Sequence, residues 1–316
     1  MGIPMKNCQL LSIVIPLHNE EDTFAPFLAA MQQALQDWTS EVELLFVDDG
    51  SSDQTWMRVC QAAQTESQVQ GLRFTRNFGK EAAILAGLEA ARGEWVIVMD
   101  GDGQHPPSML PQILNAATDE TVGIVAARKS ARTADGWLAR MFAKHFNRFM
   151  LAATGLDLDG ASDFRLMKRA VIDTLLRMPE KIRFFRAMTV WTGFKQIDLP
   201  FDVQPRLAGT TSWTTGGLIK LAVTGITAFS AKPLTAVFRL GLLGIFISFL
   251  LAVQALWSWI TGVAISGWTS LTLIIIFFGS ANLLGIGILG AYLAQIFDEI
   301  KARPVYLVGE RVTRKS

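Results

Sequence analysis

"VIVMDGDGQHPP", residues 96–107, carries four apolar residues into Asp100-Gly101-Asp102-Gly103-Gln104 and then stops at two prolines. The run has the length and composition of a buried strand. An unpaired buried charge is costly, so two carboxylates one residue apart at its end imply a cation supplied from elsewhere. Asp100, Asp102 and Gln104 offer hard oxygen ligands at alternating positions, a set that suits Mg2+ or Mn2+ rather than zinc. In isolation an Asp-X-Asp is equally the pattern of a solvated turn. Its surroundings have to decide.

Those surroundings repeat the same design. "LLSIVIPL" (10–17), "VELLFVDD" (42–49), "GLRFT" (71–75) and "VGIVAAR" (122–128) are short apolar runs like 94–100, and helical patterns at 21–37, 52–65, 79–92 and 106–117 lie between them. Near-continuous apolar strands alternating with helices predict an α/β domain with a mostly parallel sheet covered on both faces. Pro106 and Pro107 can open the fourth helix, where a missing N–H does no harm. Ligands of such sheets gather at the carboxyl ends of the strands. Four polar clusters fall there: "HNEE", "DDGSSD", "RNFGKE" and "DGDGQ". A cation among them is placed to bridge a diphosphate and to neutralise charge on a departing phosphate. The dinucleotide fingerprint GxGxxG does not follow the first strand, where "IPLHNEE" stands instead, and the phosphate loop GxxxxGK[ST] and the GxSxG elbow are missing from the sequence.

The apolar content is uneven. Mean hydropathy is +0.31, and no Asp, Glu, Lys or Arg occurs from Leu240 through Phe297. This region divides into two spans, about 237–260 and 269–296, each long enough to cross a bilayer. Trp257, Trp259 and Trp268 cluster near the connecting turn, as an aromatic belt would. Lys220, Lys232 and Arg239 precede the first span, and Lys301, Arg303, Arg311, Arg314 and Lys315 follow the second. Positive charge on both outer flanks places both termini in the cytoplasm. A buried hairpin of a soluble protein is the alternative. Residues 217–232 have helical apolar spacing that fits an interfacial helix on the inner leaflet as well as an amphipathic helix packed on the domain. The expected organisation is therefore a catalytic domain over 1–210, an interfacial segment over 211–233, a transmembrane hairpin over 234–300 and a cytoplasmic tail over 301–316. Gly241, Gly244, Gly285, Gly287 and Gly290 would permit close helix contact, including between copies in a homo-oligomer. Cys8 and Cys60 have no metal-binding spacing and read as ordinary thiols. "MGIPMKNCQ" has no apolar core of a signal peptide. With 29 Lys and Arg against 28 Asp and Glu, nothing suggests a nucleic-acid partner.

"SIVIPLHNEE", "LLFVDDGSSDQT", "RNFGKEAAILAGL", "VMDGDGQHPP" and "SDFRLMKR" resemble, in order, the successive motifs of family 2 glycosyltransferases with the GT-A fold. More narrowly they resemble the polyprenyl-phosphate glycosyltransferases, and "LGAYLAQIFDEIKARPVYLV" is similar to the end of the second membrane helix in their bacterial two-span branch. The likeness implies a nucleotide pocket lined by Pro16, Asn19 and Glu20, with Asp49 accepting a hydrogen bond from the base. A turn-capping role is the structural alternative for Asp48 and Asp49. Lys80 would face the donor, or be an exposed helix lysine. Asp100, Asp102 and Gln104 would hold the metal against the diphosphate, with Asp102 counted among the catalytic groups. Asp163 and Arg165 would act at the acceptor, Asp163 as orienter or general base, with a purely structural role as its alternative. Arg128 and Arg140 would bind the lipid phosphate, and Arg206 a phosphate near the membrane. His105 would position its turn, and His18 and His145 carry no signal of their own. Ser212 stands where the family pattern R-x-x-G-x-S-K-[YW] has lysine, so one expected cation is missing.

The function the resemblance implies is inverting transfer of a hexose, glucose from UDP-glucose, to undecaprenyl phosphate at the bacterial inner membrane. A different donor (a UDP-amino sugar, UDP-galactose or GDP-mannose) would use the same chemistry. A processive polysaccharide synthase would carry a QxxRW motif, which this chain lacks. A non-catalytic membrane anchor would have no use for the carboxylates, Gln104 and the arginines.

Overall fold

The computed structural model describes residues 9–119, 121–129, 151, 160–181, 183–202, 232–262 and 267–313. It divides into two compact units. The first comprises residues up to 212 together with 304–316, and the second residues 213–303.

The first unit is built on an eight-stranded sheet. Its strands in chain order are β1 (Leu10–Leu17), β2 (Glu41–Asp48), β3 (Val69–Phe74), β4 (Trp95–Val98), β5 (Ile124–Lys129), β6 (Ala161–Lys168), β7 (Gln196–Phe201) and β8 (Val308–Val312). The spatial order is β7-β5-β6-β4-β1-β2-β3-β8. The pairs β1/β2, β2/β3, β1/β4 and β5/β7 are parallel; β4/β6, β5/β6 and β3/β8 are antiparallel. Helices α1 (Glu21–Leu35), α2 (Thr55–Thr65), α3 (Lys80–Ala90) and α4 (Leu110–Ala116) connect the parallel strands. Helix α5 (Arg169–Arg177) and the short α6 (Phe185–Trp191) follow β6.

The central strands are apolar on both faces because helices cover both. Leu11, Ile13, Ile15, Phe46 and Ile97 lie in one core with Phe24, Phe27 and Met31 of α1. On the other face α3 is buried along Ala82–Leu88. Its fit is tight: a Cβ on Gly87 would meet Val14 Cγ1 at 2.1 Å, so glycine lets the helix lie directly on β1. The five strands expected from apolar runs are present, each within two residues of its expected start.

The C-terminal segment differs from expectation. Residues 301–316 were expected as a tail, but Val308–Val312 pair with β3 and close the sheet edge. Tyr306 stacks on Phe74 with ring centroids 4.9 Å apart. An otherwise open edge strand gains backbone partners in this way.

In the second unit α7 (Lys232–Ile260) and α8 (Trp268–Ile300) are two helices long and apolar enough to cross a membrane. A Cβ on Gly244 would meet Phe278, and one on Gly285 would meet Val237, so the two helices run antiparallel. Leu243, Phe246, Leu250, Ile275, Phe277 and Leu284 are more than half exposed.

Candidate active site

The carboxyl ends of β1, β2 and β4 and the beginning of β6 share one sheet edge. The antiparallel register that sets Val98 opposite Arg165, carried two residues further, brings Asp100 level with Asp163. Lys80, the first residue of α3, reaches between them: Nζ lies 2.6 Å from Asp100 Oδ1 and 2.5 Å from Asp163 Oδ2. Arg186 on α6 closes a side-on pair with Asp163, Nε to Oδ1 at 2.7 Å and Nη2 to Oδ2 at 2.8 Å. The result is a compact network of two acids and two bases.

Its electrostatics follow from burial and pairing. Burial alone would raise the Asp163 carboxyl, but Lys80 and Arg186 override it and hold the group well below the usual range. Asp100 is likewise lowered, burial being outweighed by the Lys80 ammonium beside it. Lys80 and Arg186 are both raised, since pairing with the acids exceeds their own desolvation. Glu81, next to Lys80, has no such cation bonded to it. Burial and then Asp163 push it up to about 7, and its Oε2 accepts a hydrogen bond from Phe185 N at 2.9 Å.

The turn after β4 is held from beneath. His105 is buried, stacks on Phe164 and meets Phe201 edge-on. Its Nδ1 accepts a hydrogen bond from Asp100 N at 2.9 Å. An amide can only donate, so Nδ1 carries no proton and the ring is neutral, consistent with burial lowering its pKa. His105 thus positions the turn, as expected from sequence. Asp102 Oδ1 accepts from Gln104 N at 3.0 Å, and Gly103 takes φ 82°.

These residues suit a hard divalent cation. Asp100 Oδ1 is buried against the Lys80 ammonium, 2.6 Å away, and Asp102 and Gln104 follow it in the same turn. Among the described residues no three His, Cys, Asp or Glu side chains form a ready-made cage. One or two carboxylates with the remaining positions left to phosphate oxygens is how Mg2+ is commonly bound.

Of the residues expected to line a nucleotide pocket, Pro16 sits near the end of β1, opposite Val47. Asn19 adopts a left-handed backbone, φ 55°, fixed by Asn19 N donating to Ser51 Oγ at 2.9 Å and Ser52 N donating to Asn19 Oδ1 at 2.9 Å. Glu20 receives the Thr23 hydroxyl at 2.5 Å at the start of α1. Asp49, expected to receive the base, instead accepts the amides of Phe78 (2.7 Å) and Gly79 (2.9 Å) and ties the loop before α3 to the end of β2. Asp48 caps its own turn through Ser51 N at 3.0 Å. The turn-capping alternative therefore describes Asp48, whereas Asp49 bridges to the loop before α3.

Arg165 is the other departure. Expected at the acceptor, it is 1 % exposed, donating to Ser162 O and Thr189 Oγ1 and lying over the Phe185 ring. All these bonds are internal, and they fasten α6, which carries Arg186. Arg128, near the end of β5, pairs with Asp198 at 3.2 Å. Arg140, Arg206, His145 and Ser212 lie outside the described residues, as do residues 211–231 and Cys8. Cys60 is a free thiol. Sequence reasoning missed Arg186 and Glu81. "RFFRAM" carries no recognisable motif, and its only signal is a second arginine placed beside aromatic residues.

Comparison with known proteins agrees with this layout. The profile described as Glycosyl transferase family 2 matches residues 12–176. An uncharacterised glycosyltransferase of Synechocystis is 35% identical over 302 residues, covering 95% of each chain. The SfII prophage-derived bactoprenol glucosyl transferase of Shigella flexneri is 35% identical, covering 94% of this chain and 97% of its own. A prophage bactoprenol glucosyl transferase homolog of Escherichia coli is 34% identical, covering 94% and 98%.

Proposed function

The chain belongs to glycosyl transferase family 2, and on that premise we propose that it transfers a hexose, glucose from UDP-glucose, to the phosphate of undecaprenyl phosphate with inversion at the anomeric carbon. One observation carries the reading. A buried carboxylate, Asp163, and a partly buried one, Asp100, bracket Lys80 at the carboxyl edge of the sheet, in a chain that matches a bactoprenol glucosyl transferase over 94% of its length.

The acceptor brings its own nucleophile. A phosphate monoester has a second pKa of about 6 and is largely dianionic at neutrality. It needs cations for docking and in-line placement more than it needs a base. Asp163 fits this division of labour: held ionised by Lys80 and Arg186, it is a poor proton acceptor and a good anchor for two cations facing the cleft. Both its oxygens are engaged, so it is also a poor nucleophile, which favours a single displacement and hence inversion. Asp100, Asp102 and Gln104 would hold a divalent cation, Mg2+ or Mn2+, which when bound supplies Lewis-acid stabilisation of the nucleoside diphosphate leaving group. Pro16, Asn19 and Glu20 would border the nucleotide. Arg128, with Arg140 and Arg206, would meet phosphate, bidentate guanidinium pairing giving the chemical reason.

The helix pair would sit in the bacterial inner membrane. Its two ends connect to one catalytic domain, since residues 304–316 belong with residues 1–212. Two crossings return the chain to the side it left, and the basic flanks make that side the cytoplasm. A polyprenyl chain stays in the bilayer, so an anchored enzyme searches for its phosphate in two dimensions.

Membranes containing the full chain, supplied with undecaprenyl phosphate and Mg2+, are to be incubated with labelled UDP- and GDP-sugars. Label from UDP-glucose should enter the lipid phase, and chelation should stop it. Label that stays aqueous with every donor would refute the reading, whereas lipid labelling by another sugar would revise only the donor.

A further inference from the structure

Strand β8 follows both apolar helices in the sequence, yet through Arg73 of β3 it is linked to the turn at the end of β2. Glu310 Oε1 accepts from Arg73 Nη1 at 2.9 Å, and Glu310 Oε2 accepts from Trp56 Nε1 at 3.0 Å. The same arginine turns its other nitrogens toward that turn. Nη2 donates to Ser51 O at 3.3 Å, and Nε lies 3.4 Å from Asp48 Oδ2. That oxygen is buried and has no hydrogen-bond partner. Ser51 in turn holds Asn19 N, and Ser52 holds Asn19 Oδ1. The turn is crowded as well as bonded: a Cβ on Gly50, φ 65°, would meet Arg76 C at 2.4 Å. Its shape therefore depends on side-chain ties more than on slack.

We infer that Arg73 and Glu310 are positioning residues for the nucleotide of the donor. Glu310, on the strand that closes the sheet, fixes the guanidinium of Arg73. Arg73 faces the buried charge of Asp48 and grips the Ser51 carbonyl. Ser51 and Ser52 then keep Asn19 in its left-handed conformation beside the nucleotide. The inference rests on the proposed function for the identity of that ligand. An exposed acid–base pair alone is worth little. Here the acid also receives a part-buried indole N–H, and the base stands over the one oxygen of Asp48 that has no hydrogen bond.

The test compares the full-length chain in membranes with its Glu310→Gln, Arg73→Gln and Asn19→Ala variants, using UDP-glucose as donor and undecaprenyl phosphate as acceptor. Glu310→Gln should raise donor KM about threefold, and Arg73→Gln about tenfold or more. kcat and acceptor KM should stay within about twofold, the signature of lost ground-state and transition-state binding alike. Asn19→Ala should raise donor KM too. If Asn19→Ala does so and Glu310→Gln does not, the positioning role is wrong. A fall in kcat at unchanged donor KM also overturns it. If Asn19→Ala leaves donor KM unchanged, the nucleotide does not lie at this turn, and the inference falls with that assignment. Glu310 is half exposed, so its variant decides the matter even where Arg73→Gln fails to fold.

Discussion

At the scale of single residues, the site separates groups that can titrate near neutrality from groups that cannot. Asp100 and Asp163 are held down by neighbouring cations, so neither should give activity an acidic limb close to pH 7. Asp102 is the side chain whose oxygens the proposed cation needs and whose removal leaves the Lys80 network in place. Asp102→Asn should lower turnover about a thousandfold, equivalent to about 4 kcal/mol. Comparing initial rates of lipid labelling checks this, and unchanged rates would remove the metal assignment. Glu81 behaves in the opposite sense to the paired acids. Its folded pKa, about 7, lies above the ordinary 4.5, so the folded state binds more protons between those values. Its stabilising contribution is complete below about pH 4.5 and is lost as pH rises through about 7, at most about 3 kcal/mol. Glu81→Gln keeps an acceptor for Phe185 N and removes the titration. Thermal midpoints measured from pH 5 to 8 should therefore fall less steeply in the variant than in the parent. Identical slopes would show that Glu81 is ionised throughout. Legibility at this scale was mixed for a physical reason. Asp100, Asp102 and Gln104 stand in a motif because a cation site needs fixed local spacing. Arg186 meets Asp163 through the tertiary fold, which places no constraint on neighbouring sequence.

At the scale of elements, the strands legible as apolar runs were those covered on both faces. β6 escaped because "ASDFRLMK" interrupts its apolar pattern with buried Asp163 and Arg165. These charges are tolerated since Lys80, Arg186, Ser162 and Thr189 satisfy them. β7 and β8 are edge strands with half-exposed, polar-rich sequences, and so look like loops until their partners are known. Helix α6 is only seven residues long, too short to be stable by propensity alone. Its fastening comes from outside: Glu81 meets its first N–H, and Arg165 bonds Thr189 in its second turn. Arg165→Leu would strand the Ser162 carbonyl, take one of the two bonds of the Thr189 hydroxyl and cost about 2–4 kcal/mol. The measurable result is a Tm lower by about 5–15 °C, together with slower transfer as Arg186 loses its platform. A Tm unchanged by this substitution would mean that α6 is held by packing alone.

At the scale of the whole molecule, the chain leaves its catalytic unit, forms two apolar helices and returns to complete the sheet with β8. That route makes the catalytic unit discontinuous in sequence, and a composition scan cannot detect it, because "VGERV" is neither apolar nor long. It also constrains how the apolar helices are accommodated. A soluble protein would bury them, yet among the described residues almost none of their apolar stretches is covered: 7% of one and none of the other. Each buried CH₂ is worth about 0.8 kcal/mol, so several exposed Leu, Ile and Phe side chains on each helix amount to an attachment that salt or pH cannot reverse. The full chain should accordingly sediment with membranes after 1 M salt and after alkaline carbonate washing, and be released by detergent. Release by salt alone would mean that charge on the catalytic unit holds it to the surface. Appearance in the soluble fraction without detergent would mean that the helices are covered by protein, and the two-crossing arrangement would have to be abandoned.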